Sequence, residues 1–573
     1  MSNLSKQKRE RMLSFLNTLK EKNKDDQEAI VALNEIETEL NSKKYGLVWE
    51  KHEEQVDMMI KDNIPVFTEV KEKEITHDKK QRYNFLLEGD NLHSLKLLEK
   101  THKEKIDVIY IDPPYNLGKK DFSYNDTFVN EDDGYKHSKW LSFMNVRLEI
   151  AYQLLSKNGL IAISIDETEY AQLKLLCDDI FGEKNRLITF HIQVRYDNKN
   201  LNTKNDWQPI MEYILIYAKN KDVFKANKPT ETYSIDKFIY SIEELSKGDT
   251  FIANERKVKV FKKGEWKLKK HDTPFTSGLK ETWISGSIYS DTGHGSMYKA
   301  IVEPRFEIDG AGAVYKIDGL GDDGLGYRYY TNPRSKNGTR GKMYTGIPII
   351  RRQETETGTS VKELPITNLY NLSADFGNIR HEGGTPFNNG KKPVKLIKQL
   401  INYHVNKNST ILDFFAGSGT TGHAVMELNK EDGGNRTYIL CTNNENNICE
   451  EITYKRLTNI QKKLPHNLKY YKTDFIPKSS EELSDLMLKH IVEMVQLEHG
   501  VRIDGNEYLI ILTDEEADNL EKNISNYPHL KALYVSSNVL LTGSQGELFR
   551  NYDLNIIPDY YFSFELREVG KLW

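Results

Sequence analysis

A rhythm of apolar strand, polar loop and helix runs twice through this chain and constrains its fold more than any other feature. The first run holds the strands YNFLLEG at 83–89, IDVIYID at 106–112 and GLIAISID at 159–166. Helical spacing follows each of them, from about Leu92 to Lys100, Trp140 to Leu155 and Ala171 to Phe181. The second run holds the helix PVKLIKQLINYH at 393–404, the strand TILDFF at 410–415, a helix from about Thr420 to Asn429, the strand TYILCT at 437–442 and a helix from about Asn447 to Ile460. Strands that are apolar along their whole length cannot leave a sheet face in water, so the pattern predicts an α/β fold with a mostly parallel sheet covered on both faces.

Between 191 and 365 the rhythm stops and the sequence turns rich in Gly, Tyr and Lys, which marks an inserted domain. The expected organisation is a helical segment over 1–80, core halves over 81–190 and 366–464 flanking that insertion, and a small α/β domain over 465–573. Both ends carry apolar residues such as Val48, Trp49, Tyr560, Tyr561 and Phe562, which must be buried in the core or against another chain.

Two motifs carry chemistry. In LDFFAGSGTTGHAV, a strand ends at Asp413 and a helix begins near Thr420. Gly417 and Gly419 between them let the backbone turn tightly and approach a ligand. Alone, this suits a dinucleotide, a methyl donor or a plain turn, and Glu445 lies after the next strand where an acid could bond a ribose. The second motif is Asp112, Pro113, Pro114 and Tyr115, at the end of strand IDVIYI. The lone pair of an exocyclic amine on adenine or cytosine is delocalised into the ring. Acceptors that hold its hydrogens, here the Asp112 carboxylate and the Pro113 carbonyl, push the nitrogen towards tetrahedral geometry and aim it at an electrophilic methyl. The prolines stiffen the loop, and Tyr115 offers a face for a flipped base.

DPPYN with FAGSGT downstream resembles the β-class DNA amino-methyltransferases, in which the catalytic motif precedes the cofactor motif. The wider likeness is to the modification subunit of type III restriction-modification systems. It is carried by YGLVWEKHEEQV at 45–56, LLEGDNLHSL at 86–95, WLSFMNVRLEIAYQLL at 140–155, ISIDETEYAQLKLLCDDIFGEKN at 163–185, FNNGKKPVKLIKQL at 387–400 and CTNNENNICEEITYKR at 441–456. The resemblance implies a Rossmann-like methyltransferase core of permuted motif order and transfer from S-adenosylmethionine to adenine N6 in double-stranded DNA. It further implies a homodimer able to carry a helicase-nuclease restriction subunit.

Residue by residue, the resemblance makes Asp112 to Tyr115 the catalytic loop and Asp413, Phe415, Ala416, Gly417, Gly419 and Thr420 the donor pocket. Glu445 becomes a ribose ligand and Asp90 a partner for the donor's adenine, or alternatively a helix N-cap. Phe387, Lys392 and Pro393 form a wall on the cofactor, although Lys391 stands where the family often has proline. The family also carries target recognition in an insertion at this place. That turns the basic run with Lys262, Lys263, Lys269 and Lys270, interleaved with Phe261 and Trp266, and the stretch 326–342 with Arg328, Arg334 and Arg340, into expected DNA contacts.

Other classes fit less well. Cys177, Cys441 and Cys449 follow Leu176, Leu440 and Ile448, not the proline usual before the nucleophile of a cytosine-C5 enzyme, and their spacing suggests neither zinc nor disulfides. No GxxxxGK[ST] loop accompanies Gly390, and no apolar run spans a bilayer, so ATP hydrolysis and membrane insertion are not expected and the cytoplasm is. The net charge of -5 decides nothing about DNA, since phosphate contacts depend on local basic surface. N4-cytosine methylation and a non-catalytic DNA-binding specificity subunit remain the alternatives.

Overall fold

The computed structural model describes residues 4–24, 26–41, 49–117, 135–197, 206–284, 294–333, 341–356, 360–385, 390–558 and 561. The chain divides into two compact units, Met1–Asn227 with Thr367–Trp573, and Lys228–Ile366. The first is built on a ten-stranded sheet. Its strands are β1 (Asn63–Glu69), β2 (Tyr83–Glu88), β3 (Ile106–Ile111), β4 (Leu155–Ile165), β5 (Arg186–Gln193), β6 (Met211–Ala218), β7 (Leu369–Asn371), β8 (Thr410–Asp413), β9 (Thr437–Thr442) and β10 (Asn467–Pro477). They lie in the order β1-β10-β2-β9-β8-β3-β4-β6-β5-β7.

From β10 to β4 all pairings are parallel. These strands are the apolar runs of the sequence, and Val108, Ile109, Ile161, Ile163, Leu412 and Leu440 are buried, as burial on both faces requires. The helices α1 (Asn91–His102), α2 (Lys136–Leu154), α3 (Tyr170–Cys177), α4 (Val394–Asn402) and α5 (Thr420–Asp432) belong to the same unit. β8 pairs with β3 through Ile411 beside Val108 and Leu412 beside Ile109, so the two strands that carry the motifs are neighbours ending at one edge.

The sheet reaches beyond its expected limits. The end of β5 and all of β6 lie past 191 and still pair within it, β6 running antiparallel to both β4 and β5. At the other side β1, within the segment read as helical, pairs antiparallel with β10, which lies past 465. Charge disguised β10: Lys469, nearly fully buried in it, is neutralised by Glu69 of β1, so β10 alone reads as polar. The helical reading does hold for Leu4–Lys22 and Gln27–Asn41. Near the C-terminus a three-stranded parallel sheet, Tyr508–Ile511, Ala532–Ser536 and Asp553–Ile557, packs with the helices Asp514–Asn523 and Gly543–Phe549. The segment 560–566 lies outside the described residues except at Tyr561, which is buried and whose carbonyl accepts from Lys100 at 2.6 Å. Trp49 likewise packs on the core and donates to Ser142 Oγ at 3.1 Å. Val48, Tyr560 and Phe562 lie outside the described residues.

The second unit holds a six-stranded antiparallel sheet, Lys280–Trp283, Lys342–Thr345, Tyr327–Thr331, Val314–Asp318, Arg256–Phe261 and Asp249–Ala253 in that order. Val258, Val260, Tyr315, Ile317 and Tyr330 form its core. All three cysteines of the chain are buried. Among the described residues no helix is long and apolar enough to cross a membrane.

One buried cation ties the N-terminal segment to the core. Arg147 on α2 is fully buried and donates to Glu54 Oε1 at 2.6 Å and Oε2 at 3.2 Å, to Asn91 Oδ1 at 2.6 Å and to Asp90 Oδ1 at 3.3 Å. Removing one member of such a cluster strands the others without their partner. Arg147→Ala is therefore expected to lower stability by about 3–5 kcal/mol, read from the urea midpoint of the first unfolding transition. A midpoint left at the wild-type value would show that Glu54 and Asp90 do not depend on Arg147.

Candidate active site

Both motif loops leave the carboxyl edge of the sheet side by side. The carboxyl of Asp413, at the end of β8, accepts from the Phe415 amide at 3.0 Å and from the Thr421 hydroxyl, so it braces both sides of the glycine turn. Burial pushes it up to about 7 against these two hydrogen bonds. Ala416 N donates to the Cys441 carbonyl at 3.1 Å, and Phe415 packs 5.8 Å from Phe143. Gly417 and Gly419 take left-handed φ of +47° and +73°. A Cβ on Gly417 would meet only the Phe415 carbonyl oxygen, at 3.8 Å, so this glycine opens onto a cradle, whereas one on Gly419 would press on Thr453 at 3.0 Å. Behind the turn, Thr453 donates to the Gly417 carbonyl, and the buried Arg456 donates to Thr420 Oγ1 at 2.8 Å and to Ser418 Oγ at 3.3 Å.

The neighbouring strand ends complete the cradle. β9 leads into Asn443, whose Oδ1 is buried without a hydrogen-bond partner among the described residues, and then into half-buried Glu445, beyond which Asn446 and Asn447 both have positive φ. A backbone turn open for a ligand, an unsatisfied acceptor and a nearby carboxylate fit a polar, nucleoside-bearing cofactor. Asp90 caps α1, its Oδ1 accepting from Leu92 N at 2.8 Å as well as from Arg147, so the N-cap half of its expected role is what the geometry displays. Pro393 is buried directly before α4, and Phe387 lies outside the described residues.

The catalytic loop is clamped. The Trp140 indole donates to the Pro114 carbonyl at 2.7 Å, and Asn116, at φ +63°, donates to the fully buried Glu169, which also pairs with His137 at 2.7 Å. Within the loop the Tyr115 hydroxyl donates to Asp112 Oδ1 at 2.8 Å. Burial and the adjacent carboxylates hold that hydroxyl far above the usual phenol range, so it remains a donor. Tyr115 is 6% exposed, so its ring stands less open than a stacking platform would.

Lys392 lies here and not against the glycine turn. Its ammonium stands 3.1 Å from Asp112 Oδ1, 2.7 Å from the Tyr115 hydroxyl and 3.0 Å from Glu212 Oε2. Burial disfavours its charge, but Asp112 and Glu212 hold it above the usual lysine range. Burial likewise pushes Asp112 up, Lys392 pulls it down, and Glu212 pushes it up again. Asp112 Oδ2 takes no hydrogen bond among the described residues. Glu212 went unnoticed in the sequence. Its signal is a lone acid at the start of the buried apolar strand MEYILIYA. Arg456, Thr453, Trp140 and Glu169 were missed for the same reason, since each works through a fold contact that spacing does not display. Among the described residues no group of three or more His, Cys, Asp or Glu could hold a metal ion.

In the separate unit, Lys262, Lys263 and Lys270 are exposed. Lys269 pairs with Glu243 at 2.8 Å and Arg328 with Asp322 at 3.0 Å, which removes part of the expected positive surface. Phe261 is buried, and the half-buried Trp266 donates to the Gly312 carbonyl at 3.0 Å, so these aromatics are structural. Arg334 and Arg340 lie outside the described residues.

Known proteins agree with this geometry. The Mod subunit of the type III restriction-modification enzyme StyLTI from Salmonella typhimurium is 32% identical over 68% of this chain and 59% of its own length. The EcoPI Mod subunit of Escherichia phage P1 is 30% identical over 71% and 65% respectively. The type II methyltransferase M.KpnI of Klebsiella pneumoniae is 31% identical over 64% of this chain and 82% of its own length. The chain thus spans less than two thirds of the length of these two Mod subunits. The sequence profile of the DNA methylase family matches residues 106–455, from β3 with its catalytic loop through the glycine turn and its braces. The chain belongs to the N6/N4 DNA methylase family.

Proposed function

We propose that the chain methylates the N6 amine of adenine in double-stranded DNA, with S-adenosylmethionine as donor, as the modification subunit of a type III restriction-modification assembly. The observation that carries this reading is Asp112, held by Tyr115 and Lys392 at the end of β3, one strand from the glycine turn after β8. The cofactor supplies an electrophilic methyl on a sulfonium. Asp112 Oδ2 accepts a hydrogen of the target amine, which concentrates its lone pair for in-line attack. The Asp112 carboxylate would stabilise the positive charge that develops on the amine as it takes the methyl, and would then accept the proton that the methylated amine sheds. The Mod-subunit relatives support the type III assignment; with it the reading includes a second copy and a restriction subunit as partners and the cytoplasm as its place. The unit Lys228–Ile366, with exposed Lys262, Lys263 and Lys270, is the part assigned to target recognition.

Mass spectrometry of nucleosides from DNA treated with the protein and labelled donor tests the reading. N6-methyladenine is expected; N4-methylcytosine would move the assignment to cytosine, and unlabelled DNA would favour a non-catalytic specificity subunit. Asp112→Ala should cut transfer by about a hundredfold or more while calorimetry finds donor affinity unchanged. Gly417→Val should lose donor binding, although its left-handed backbone costs the fold only about 1–2 kcal/mol. Wild-type affinity in that variant would place the donor elsewhere. Exchanging Lys228–Ile366 for its counterpart in a relative should change the methylated motif and keep the reaction. An active hybrid that still marks the original motif would put recognition in the first unit.

A further inference from the structure

Amine activation by Asp112 leaves a second carboxylate unexplained. Because β6 runs antiparallel to β4, pairing Tyr213 with Ile165, its first residues lie where the parallel strands end, and Glu212 enters the site from there. Lys392 donates to the Tyr115 hydroxyl at 2.7 Å and to Glu212 Oε2 at 3.0 Å, and its ammonium forms an ion pair with Asp112 Oδ1 at 3.1 Å. Its place is therefore fixed from three elements: the catalytic loop, β6 and the turn before α4. We propose that Glu212 and Lys392 are a positioning pair for Asp112. Glu212 anchors the ammonium, and the ammonium with the Tyr115 hydroxyl occupies Oδ1, leaving Oδ2 as the acceptor for the incoming amine.

This rests on the amino-methyltransferase reading. A buried carboxylate without such a hold can turn about its Cβ–Cγ bond and is driven towards the protonated form. As an acid it would meet the amine with a donor. Lys392 prevents both outcomes. Glu212 alone would do the opposite, since a like charge beside Asp112 favours its protonation, so its contribution must pass through Lys392. Further out among the described residues, Tyr110 on β3, Asp413 at the end of β8 and Asp166 after β4 also interact electrostatically with the cluster.

The test uses the full chain with Lys392→Met, Glu212→Gln and the double variant. In the unliganded protein, the carbon-13 carboxyl resonance of labelled Asp112, identified by its loss in Asp112→Asn, is titrated with pH. Lys392→Met should move the midpoint upward and Glu212→Gln downward. In single turnover, Lys392→Met should slow methyl transfer by roughly tenfold to a hundredfold, raise the acid limb of the pH profile and leave donor affinity unchanged. The double variant should be no slower than Lys392→Met alone, since Glu212 has nothing left to anchor. A midpoint unmoved by Lys392→Met, or losses that add in the double variant, would overturn the pairing. Should Lys392→Met fail to fold, Lys392→Gln, which keeps two donors without the charge, carries the same titration expectation. A wild-type chain that transfers no methyl would refute the enzymatic reading, and the titration would still decide the pair.

Discussion

The parallel pairing of β3 with β8 is the contact on which the site depends. Parallel neighbours end at the same edge, so the loops after Ile111 and after Asp413 emerge together although about three hundred residues separate them in sequence. A slip of one residue in either strand would exchange the side chains on its two faces and break their close packing against the covering helices. The register that packs the core is therefore the register that sets the distance between the two motifs. The reversal at β6 adds a contribution from the opposite chain direction and brings an acid to an edge otherwise lined by strand ends.

Around this edge the fold relies on buried cations with several partners each. Lys392 joins three acceptors, Arg456 braces the glycine turn through Thr420 and Ser418, and Arg147 gathers Glu54, Asn91 and Asp90. Such clusters add little net stability over apolar packing, because desolvation offsets most of the attraction. Their gain is geometric. A charge that would be costly to leave unpaired defines one arrangement of its neighbours, and a reaction that needs an amine, a carboxylate and a methyl in line benefits from that definition.

The β/α runs were legible because their strands are apolar throughout, and the catalytic and glycine motifs because each sits in a short contiguous stretch. β10 was not, since its Lys469 is neutralised only by Glu69 on β1, nor was β1, a short apolar run inside a segment otherwise of helical spacing. β6 reads as a strand on its own, but the irregular sequence on both sides hid its place in the sheet. Lys392 was noticed and assigned to the cofactor wall, because its neighbour in sequence is Pro393 while its neighbours in space are Asp112 and Glu212. The interleaved aromatics Phe261 and Trp266 misled in the opposite way: their spacing suited a nucleic-acid face, and packing claimed them for the core.

The burial of all three cysteines also bears on how the protein behaves in the test tube. Cys177 ends α3, Cys441 lies within β9, and Cys449 sits just beyond it beside Tyr470. Burial raises each thiol above its ordinary range, Cys449 to about 12, so almost no thiolate exists at neutral pH. Alkylating reagents and mild oxidants act on thiolates that solvent can reach, and the folded chain offers them none. A cysteine introduced on the surface would then be the sole reactive sulfhydryl, and a fluorophore or spin label could be attached at a chosen point of either unit without first removing the native ones.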